Sequence, residues 1–282
     1  MTVLSYIQAG EILSAIESGK TKACVLLDLG LTAANVEISY KFKEVRFSNA
    51  KISFKDLNEI ATDDTICYFL EKNKPPQKLK LFSADTNLSY KLVPSRDAPA
   101  LEIAGLKMHS TVKKTPWQST LDKVSSLQPM RGRVLDTCCC LGYTAINAAK
   151  ESYVTRVFTF ESDSNALEMT DYNPWSRELY LNRKIKLTIG DVARGVEMFS
   201  TGFFSSIIHD PPPFTLSPEL YSLDFYKKIF RVLAQKGMLF HSTGDAEREQ
   251  REVSKGIAKR LKEAGFRNVV ERPDILGVTA QK

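Results

Sequence analysis

The sequence has little of what several familiar protein classes require. Its 282 residues include only three histidines, His109, His209 and His241, scattered along the chain, and no Cys-x2-Cys pair recurs at zinc-site spacing. No metal is therefore expected. Of the five cysteines, Cys138, Cys139 and Cys140 are adjacent, with Cys24 and Cys67 elsewhere. Three neighbouring thiols cannot build a regular disulfide framework, and a reducing cytoplasm is the expected location. No apolar run approaches the ~20 residues a membrane helix needs. The first residues, Met-Thr-Val-Leu-Ser-Tyr-Ile, lack the basic and long apolar regions of a signal peptide. No membrane partner is expected.

What is present is ordinary for a globular protein: 43% hydrophobic and 26% charged residues. The length is enough for two domains. The net charge is +6. Acids and bases balance through residue 105, so the surplus falls after it. Lys107, Lys113, Lys114, Lys123, Arg131 and Arg133 share one stretch whose only acid is Asp122. That stretch reads either as an electrostatic footprint for RNA or as a solvated connector.

Apolar patterning divides the chain. Residues 1–20 read as an amphipathic helix, and strand-like runs follow, among them Ala23–Leu29, Asn35–Tyr40, Leu88–Val93 and Ala100–Ile103, with a short helix at Phe54–Ala61. Residues 1–104 are therefore expected to form a smaller β-rich domain, and 105–131 a basic bridge. Trp117, beside Pro116, either lines a pocket or plugs a hinge. His109 is a further candidate for the site. From 132 to 282, strands alternate with helices: Arg133–Asp136, Arg156–Glu161, Ile185–Ile189, Phe203–His209 and Gly237–His241 are strands. The helices include Leu141–Lys150, Leu220–Leu233 and Arg248–Ala264. This is the pattern of a parallel α/β sheet with helices on both faces.

The ends of those strands carry the chemistry. Asp136 closes the first and leads into Thr137-Cys138-Cys139-Cys140-Leu141-Gly142-Tyr143. Glycines in such a turn let backbone approach a ligand; here only Gly142 remains, and any positive φ at Cys138 or Cys140 would be strained. Glu161, followed by Ser162, closes the second strand, and one carboxylate can accept hydrogen bonds from paired ribose hydroxyls. Asp191, followed by Val192, comes after the third and suits an adenine amino group. The fourth runs into His209-Asp210-Pro211-Pro212-Pro213-Phe214, where proline must stop the strand. A carboxylate, proline carbonyls and an aromatic ring then sit together at the edge where open α/β sheets bind ligands.

This constellation resembles class I S-adenosylmethionine-dependent methyltransferases with an Asp-Pro-Pro loop, specifically a predicted methyltransferase family described mainly from archaea. The match rests on 136–145, Asn173-Pro174-Trp175-Ser176, 209–212, Glu219-Leu220-Tyr221 and Leu239-Phe240-His241. It covers residues ~105–282. The chain departs from it at Cys140, where members carry Gly, and at Pro213, where they carry Arg. The resemblance implies a seven-stranded Rossmann-like sheet and S-adenosylmethionine as cofactor. Asp136, Cys138, Cys140, Gly142, Tyr143, Glu161, Ser162, Asp191 and Val192 would hold it. Asp210 with the carbonyls of Pro211 and Pro212 would orient a nitrogen nucleophile, with His209 a possible proton acceptor. Phe214, Tyr221, Trp117, Trp175 and His109 would border the acceptor, for which RNA is the first candidate. The sheet also resembles that of spermidine synthases, which implies a small-molecule methyl- or aminopropyltransferase as an alternative. A non-catalytic binding protein on the same fold is a third reading.

Overall fold

The computed structural model of the protein describes residues 2–111, 114–244 and 250–282. The chain divides into two compact units, one of Met1–Thr111 with Glu168–Arg177, the other of Val112–Leu167 with Glu178–Lys282.

The first unit begins differently from expectation. Thr2–Leu4 is a strand, and the helix starts only at Tyr6, where Ser5 and Gln8 form a capping box and satisfy the first free amides. The expected strand over 23–29 ends at Leu26, because Asp28 and Leu29 turn the chain with φ of 54° and 56°. Four strands from Lys22–Leu26 to Lys51–Ser53 form an antiparallel meander. The helix Phe54–Ala61, capped by Ser53, packs Leu57 and Ile60 with Ile12, Val36 and Val45. A second four-stranded sheet runs from Lys80–Ser83 to Leu106–Lys107.

The expected bridge is thus no free linker. Its first residues, Leu106–Lys107, are an edge strand of the first unit. Pro116–Ser125 is a helix of the second, started by Thr115 as cap and Pro116 in the first turn. Lys113 lies outside the described residues.

The second unit is built on seven strands: β1 (Gly132–Asp136), β2 (Val154–Glu161), β3 (Ile185–Ile189), β4 (Phe204–His209), β5 (Leu233–Ser242), β6 (Arg267–Arg272) and β7 (Gly277–Gln281). Their order is β3-β2-β1-β4-β5-β7-β6. The first five are parallel, and β7 runs antiparallel to both its neighbours. Because side chains alternate along a strand, the sheet has two distinct apolar faces. Leu135, Ile207 and Leu239 pack with Tyr226 and Ile229 of the helix Leu223–Val232 and with Ile257 and Leu261 of the helix Gln250–Glu263. Val134, Ile208 and Phe240 pack with Val124 and with Ala145, Ile146 and Ala149 of the helix Tyr143–Lys150. Residues 248 and 249, expected to open the long helix, lie outside the described residues.

The order reverses direction at β1, whose neighbours are β2 and β4. The helix after β1 packs on one face of the sheet and the helix after β4 on the other, the arrangement in which open α/β sheets bind ligands at the C-terminal ends of their strands.

Candidate active site

At the end of β1, Asp136 is fully buried. Its two carboxylate oxygens accept hydrogen bonds from the Thr144 hydroxyl at 2.8 Å and the Thr159 hydroxyl at 2.7 Å. The acid, expected to hold the cofactor, has both carboxylate oxygens engaged by hydroxyls of the helix after the loop and of β2. The loop is sewn to β2: the Cys139 amide donates to the Phe160 carbonyl at 2.7 Å, and the Cys140 amide to Oε2 of Glu161 at 2.7 Å. Cys140 takes a φ of 48°, the left-handed region that disfavours a side chain, whereas Cys138 does not. Gly142 has φ 80°, and a Cβ there would stand 2.9 Å from Leu179, so this position needs glycine twice over. Burial raises the thiols of Cys138, Cys139 and Cys140 well above their usual range. They are compact neutral fillers, not thiolate nucleophiles.

Oε1 of Glu161 accepts the Asp163 amide at 3.0 Å, so each of its oxygens holds a backbone amide, and the Ser162 amide is a further donor to the same carboxylate. Ser162 is exposed beside it. After β3, Asp191 caps a four-residue helix by accepting the Ala193 amide at 2.7 Å, while Val192 is buried. Tyr143 is buried and meets Trp117 edge-on, centroids 5.6 Å apart, with the Lys150 ammonium 4.7 Å from the Trp117 ring. Trp117 thus packs against the helix that follows the loop.

At the end of β4, His209 is fully buried. Its Nε2 lies 3.0 Å from the Leu220 carbonyl and its Nδ1 2.7 Å from the Thr137 hydroxyl. A carbonyl only accepts, so Nε2 carries the proton and Nδ1 accepts from Thr137. Burial pushes His209 down to about 4. His241, 4.4 Å away ring to ring, is also held neutral: Nδ1–H donates to Ser242 at 2.6 Å and Nε2 accepts from Tyr226 at 2.7 Å. With both nitrogens of each ring engaged, these histidines hold the loop rather than exchange protons with a substrate.

Asp210 then meets a partner the sequence did not suggest. Lys123, 7% exposed, places its ammonium 2.5 Å from Oδ2 of Asp210. It had been counted with the basic stretch, yet it lies on the packed side of its helix with Thr120 and Val124. The signal was present in the spacing: Pro116, Thr120, Lys123, Val124 and Leu127 fall at i, i+4, i+7, i+8 and i+11, one helical face. Thr137, Thr144 and Thr159 were likewise missed, because nothing local marks a hydroxyl as the partner of a distant acid. Beyond Asp210, the Pro212 carbonyl accepts the Tyr221 hydroxyl at 2.7 Å, and half-exposed Phe214 meets Tyr221 edge-on at 5.5 Å.

The structure brings together the loop 137–142, Glu161, His209 and Asp210. Burial, reinforced by the nearby charges of Asp210 and Glu161, pushes Asp136 up to about 7. Burial raises Glu161 as well. Two expected residues belong to the first unit: His109, whose Nδ1 accepts the Leu101 amide at 3.3 Å, and Trp175, whose indole N–H donates to the Leu29 carbonyl at 3.1 Å.

No family model matches the chain. Among solved structures it is similar to spermidine synthase from Thermotoga maritima, with a TM-score of 0.58, 17% identity, and coverage of 73% of this chain and 74% of that one. A spermidine synthase in complex with the transition state analogue AdoDATO gives the same figures. These likenesses establish the Rossmann-like fold of the seven-stranded sheet. In sequence, the chain is 36% identical over 286 residues to the uncharacterized protein MJ1233 of Methanocaldococcus jannaschii, covering 99% of this chain and 96% of the relative. With that identity sustained across both units, the chain belongs to the family of MJ1233.

Proposed function

We propose that the chain is an S-adenosylmethionine-dependent transferase that methylates a neutral nitrogen atom, with RNA as the first acceptor class. The observation that carries this reading is the Asp210 carboxylate at the topological switch point, held by a buried lysine beside the 137–142 loop. Two findings support the cofactor. The fold is shared with a protein solved with an AdoDATO complex. The loop is also surrounded by three acids, Asp136, Glu161 and Asp210, close enough that two of them help raise the first. A cationic sulfonium would relieve that repulsion, so the residues present fit the group.

When bound, S-adenosylmethionine supplies a sulfonium methyl group open to in-line attack. Residues 138–142 would flank its methionine end. Glu161 would accept a ribose hydroxyl through the capacity its backbone amides leave open, and Asp191 would face the adenine amino group. Asp210, with the Pro211 carbonyl, would accept the N–H of the acceptor and aim its lone pair, so the enzyme contributes mainly positioning. Asp210 would take up the proton that the nitrogen gives up on being methylated. His209, locked as the Nε2–H tautomer between Thr137 and Leu220, positions this loop.

Aminopropyl transfer to an amine is the second reading, favoured by the spermidine synthase fold. Lys123 weighs against it. A protonated amine approaching Asp210 would have to displace an ammonium already in place. A neutral amino or amide nitrogen meets no such competitor.

Calorimetric titration with S-adenosylmethionine, S-adenosylhomocysteine and decarboxylated S-adenosylmethionine separates the readings. Micromolar affinity for the first two and at least tenfold weaker binding of the third is the expected result. Preference for the decarboxylated form would make aminopropyl transfer the correct reading. Failure to bind any of them would remove the transferase assignment. In the first case, Asp210→Ala should abolish methyl transfer to nitrogen acceptors while cofactor affinity stays within about threefold; equal loss of both would move Asp210 out of the acceptor site.

A further inference from the structure

The opposite edge of the same sheet holds a cleft of ≈ 620 Å³ lined at the starts of β1, β2, β4 and β5. None of its lining residues is acidic, and two are arginines, Arg133 and Arg156. These two stand directly opposite each other in the parallel β1–β2 ladder, so their side chains leave the sheet on the same face. One row further along, Lys186 of β3 is in register with Phe158 of β2, and its ammonium lies 5.8 Å from the Phe158 ring centroid. All three cations are exposed, and among the described residues none is paired with a carboxylate. Like charges directly opposite on neighbouring strands repel. Elsewhere in the unit, Lys228 sits between Glu197 and Asp224 and Lys114 against Asp122. A pair of guanidiniums with no described carboxylate partner over a concavity is what an anion would relieve.

The aromatic groups narrow the class of anion. The Arg133 guanidinium carbon lies over the Phe203 ring, 4.0 Å from its centroid, and its Nε–H donates to the Phe203 carbonyl at 2.8 Å. This guanidinium, itself planar, and the Phe158 ring line the same cleft. Cations that reach phosphates, interleaved with planar groups that stack bases, are how single strands of nucleic acid are held without sequence readout. An acidic peptide would use the charges and leave the planar faces idle.

We infer that this cleft, through Arg133, Arg156 and Lys186, binds the phosphate backbone of single-stranded RNA. Ser205 lines the cleft and Asp210 follows the end of the same strand. At ~3.3 Å per residue the two edges are about 16 Å apart along β4, within reach of one short strand of nucleotides. The inference rests on the basic edge alone and stands whatever reaction occurs at the other.

The test is fluorescence-anisotropy titration of the full chain with a short labelled single-stranded RNA between about 50 and 200 mM salt. Arg156, which makes no described polar bond, is changed singly to Gln, then together with Arg133→Gln. Lys255→Gln/Lys259→Gln, on the solvent-facing side of the helix Gln250–Glu263, is a control of equal charge loss. Arg156→Gln should weaken binding at least threefold. The double variant should weaken it at least tenfold and lower the slope of log affinity against log salt by about 1.4, since each phosphate contact on a single strand contributes about 0.7. The control should change affinity less than twofold. Equal loss in the control, or no binding by the unaltered protein at low salt, overturns the inference. So does equal binding of poly-glutamate, which would make the cleft a site for acidic protein. Thermal melts of each variant establish that the fold is retained. If the double variant unfolds because Arg133 no longer holds Phe203, Arg156→Gln alone decides.

Discussion

β1 carries opposite chemistry at its two ends. Its C-terminal end stops at a buried acid, with Glu161 at the end of β2, Asp210 just after β4, and Lys123 as the described counter-ion of Asp210. Near its N-terminal end, Arg133 faces Arg156 over an open cleft with no acid in its lining. The first edge is buried, so every charge there is matched by a hydroxyl, an amide or an ammonium; a buried charge left alone is too costly. The second is wet, so like charges are tolerated side by side at small cost. The same strand therefore joins one edge whose charges are partnered in fixed geometry to another whose cations face solvent with no described carboxylate partner.

The contrast is most easily broken at Lys123. Lys123→Met leaves Asp210 without its counter-ion and should lower stability by about 3 kcal/mol in denaturant unfolding, because removing one partner of a buried pair strands the other. Lys123→Met/Asp210→Leu should recover most of that loss, to within about 1 kcal/mol of the unaltered protein. A loss below about 0.5 kcal/mol for the single variant would show that the pair behaves as a surface ion pair and that Lys123 does not hold the loop.

Asp136 sharpens the comparison through pH. Its folded pKa, pushed up to about 7, exceeds its unfolded value near 4, so the folded state holds more protons between those limits. Its contribution therefore falls as pH rises from about 4 to 7. His209, pushed down to about 4 from its usual 6.5, does the reverse: stability rises with pH over about 4 to 6.5. The two slopes oppose each other across nearly the same window. Asp136→Asn removes one of them. Its stability should climb between about pH 4.5 and 6.5 more steeply than that of the unaltered protein, by up to roughly 1.4 kcal/mol per pH unit. Parallel profiles would mean that Asp136 titrates at an ordinary carboxylate pH.

The smallest effect is expected at Cys140. A side chain at φ 48° costs about 1 kcal/mol, and glycine regains part of that against its larger unfolded entropy. Cys140→Gly should raise stability by about 0.5 kcal/mol in the same assay. A loss of 1 kcal/mol or more would show that the packing of the buried thiol outweighs the strain.

Much of this edge was legible in the sequence, and the reason is local. Val134-Leu135-Asp136 and Ile207-Ile208-His209-Asp210 are apolar runs ending abruptly in acids, and such runs read as buried strands whose loops emerge at one edge. The proline run after Asp210 stops its strand by covalent geometry alone. What the chain could not disclose is pairing across distance. Lys123 and Asp210 are 87 residues apart, and Asp136 is held by hydroxyls 8 and 23 residues away. Until the sheet forms, Lys123 is one more member of a basic stretch. The opening strand at Thr2–Leu4 was missed for the same reason, since its partner is Tyr68–Leu70.

The sequence by itself determined the strand–helix alternation of the second unit, the acids at its strand ends and the positive surplus after residue 105, because periodicity, turn chemistry and charge are properties of neighbouring residues. Only the tertiary structure decided that Lys123 is buried on Asp210, that Asp136 is held between Thr144 and Thr159, that both strand-end histidines are neutral, and that Arg133 and Arg156 meet over a cleft. Those outcomes follow from burial and from register between strands, and both come into being only when distant parts of the chain are packed together.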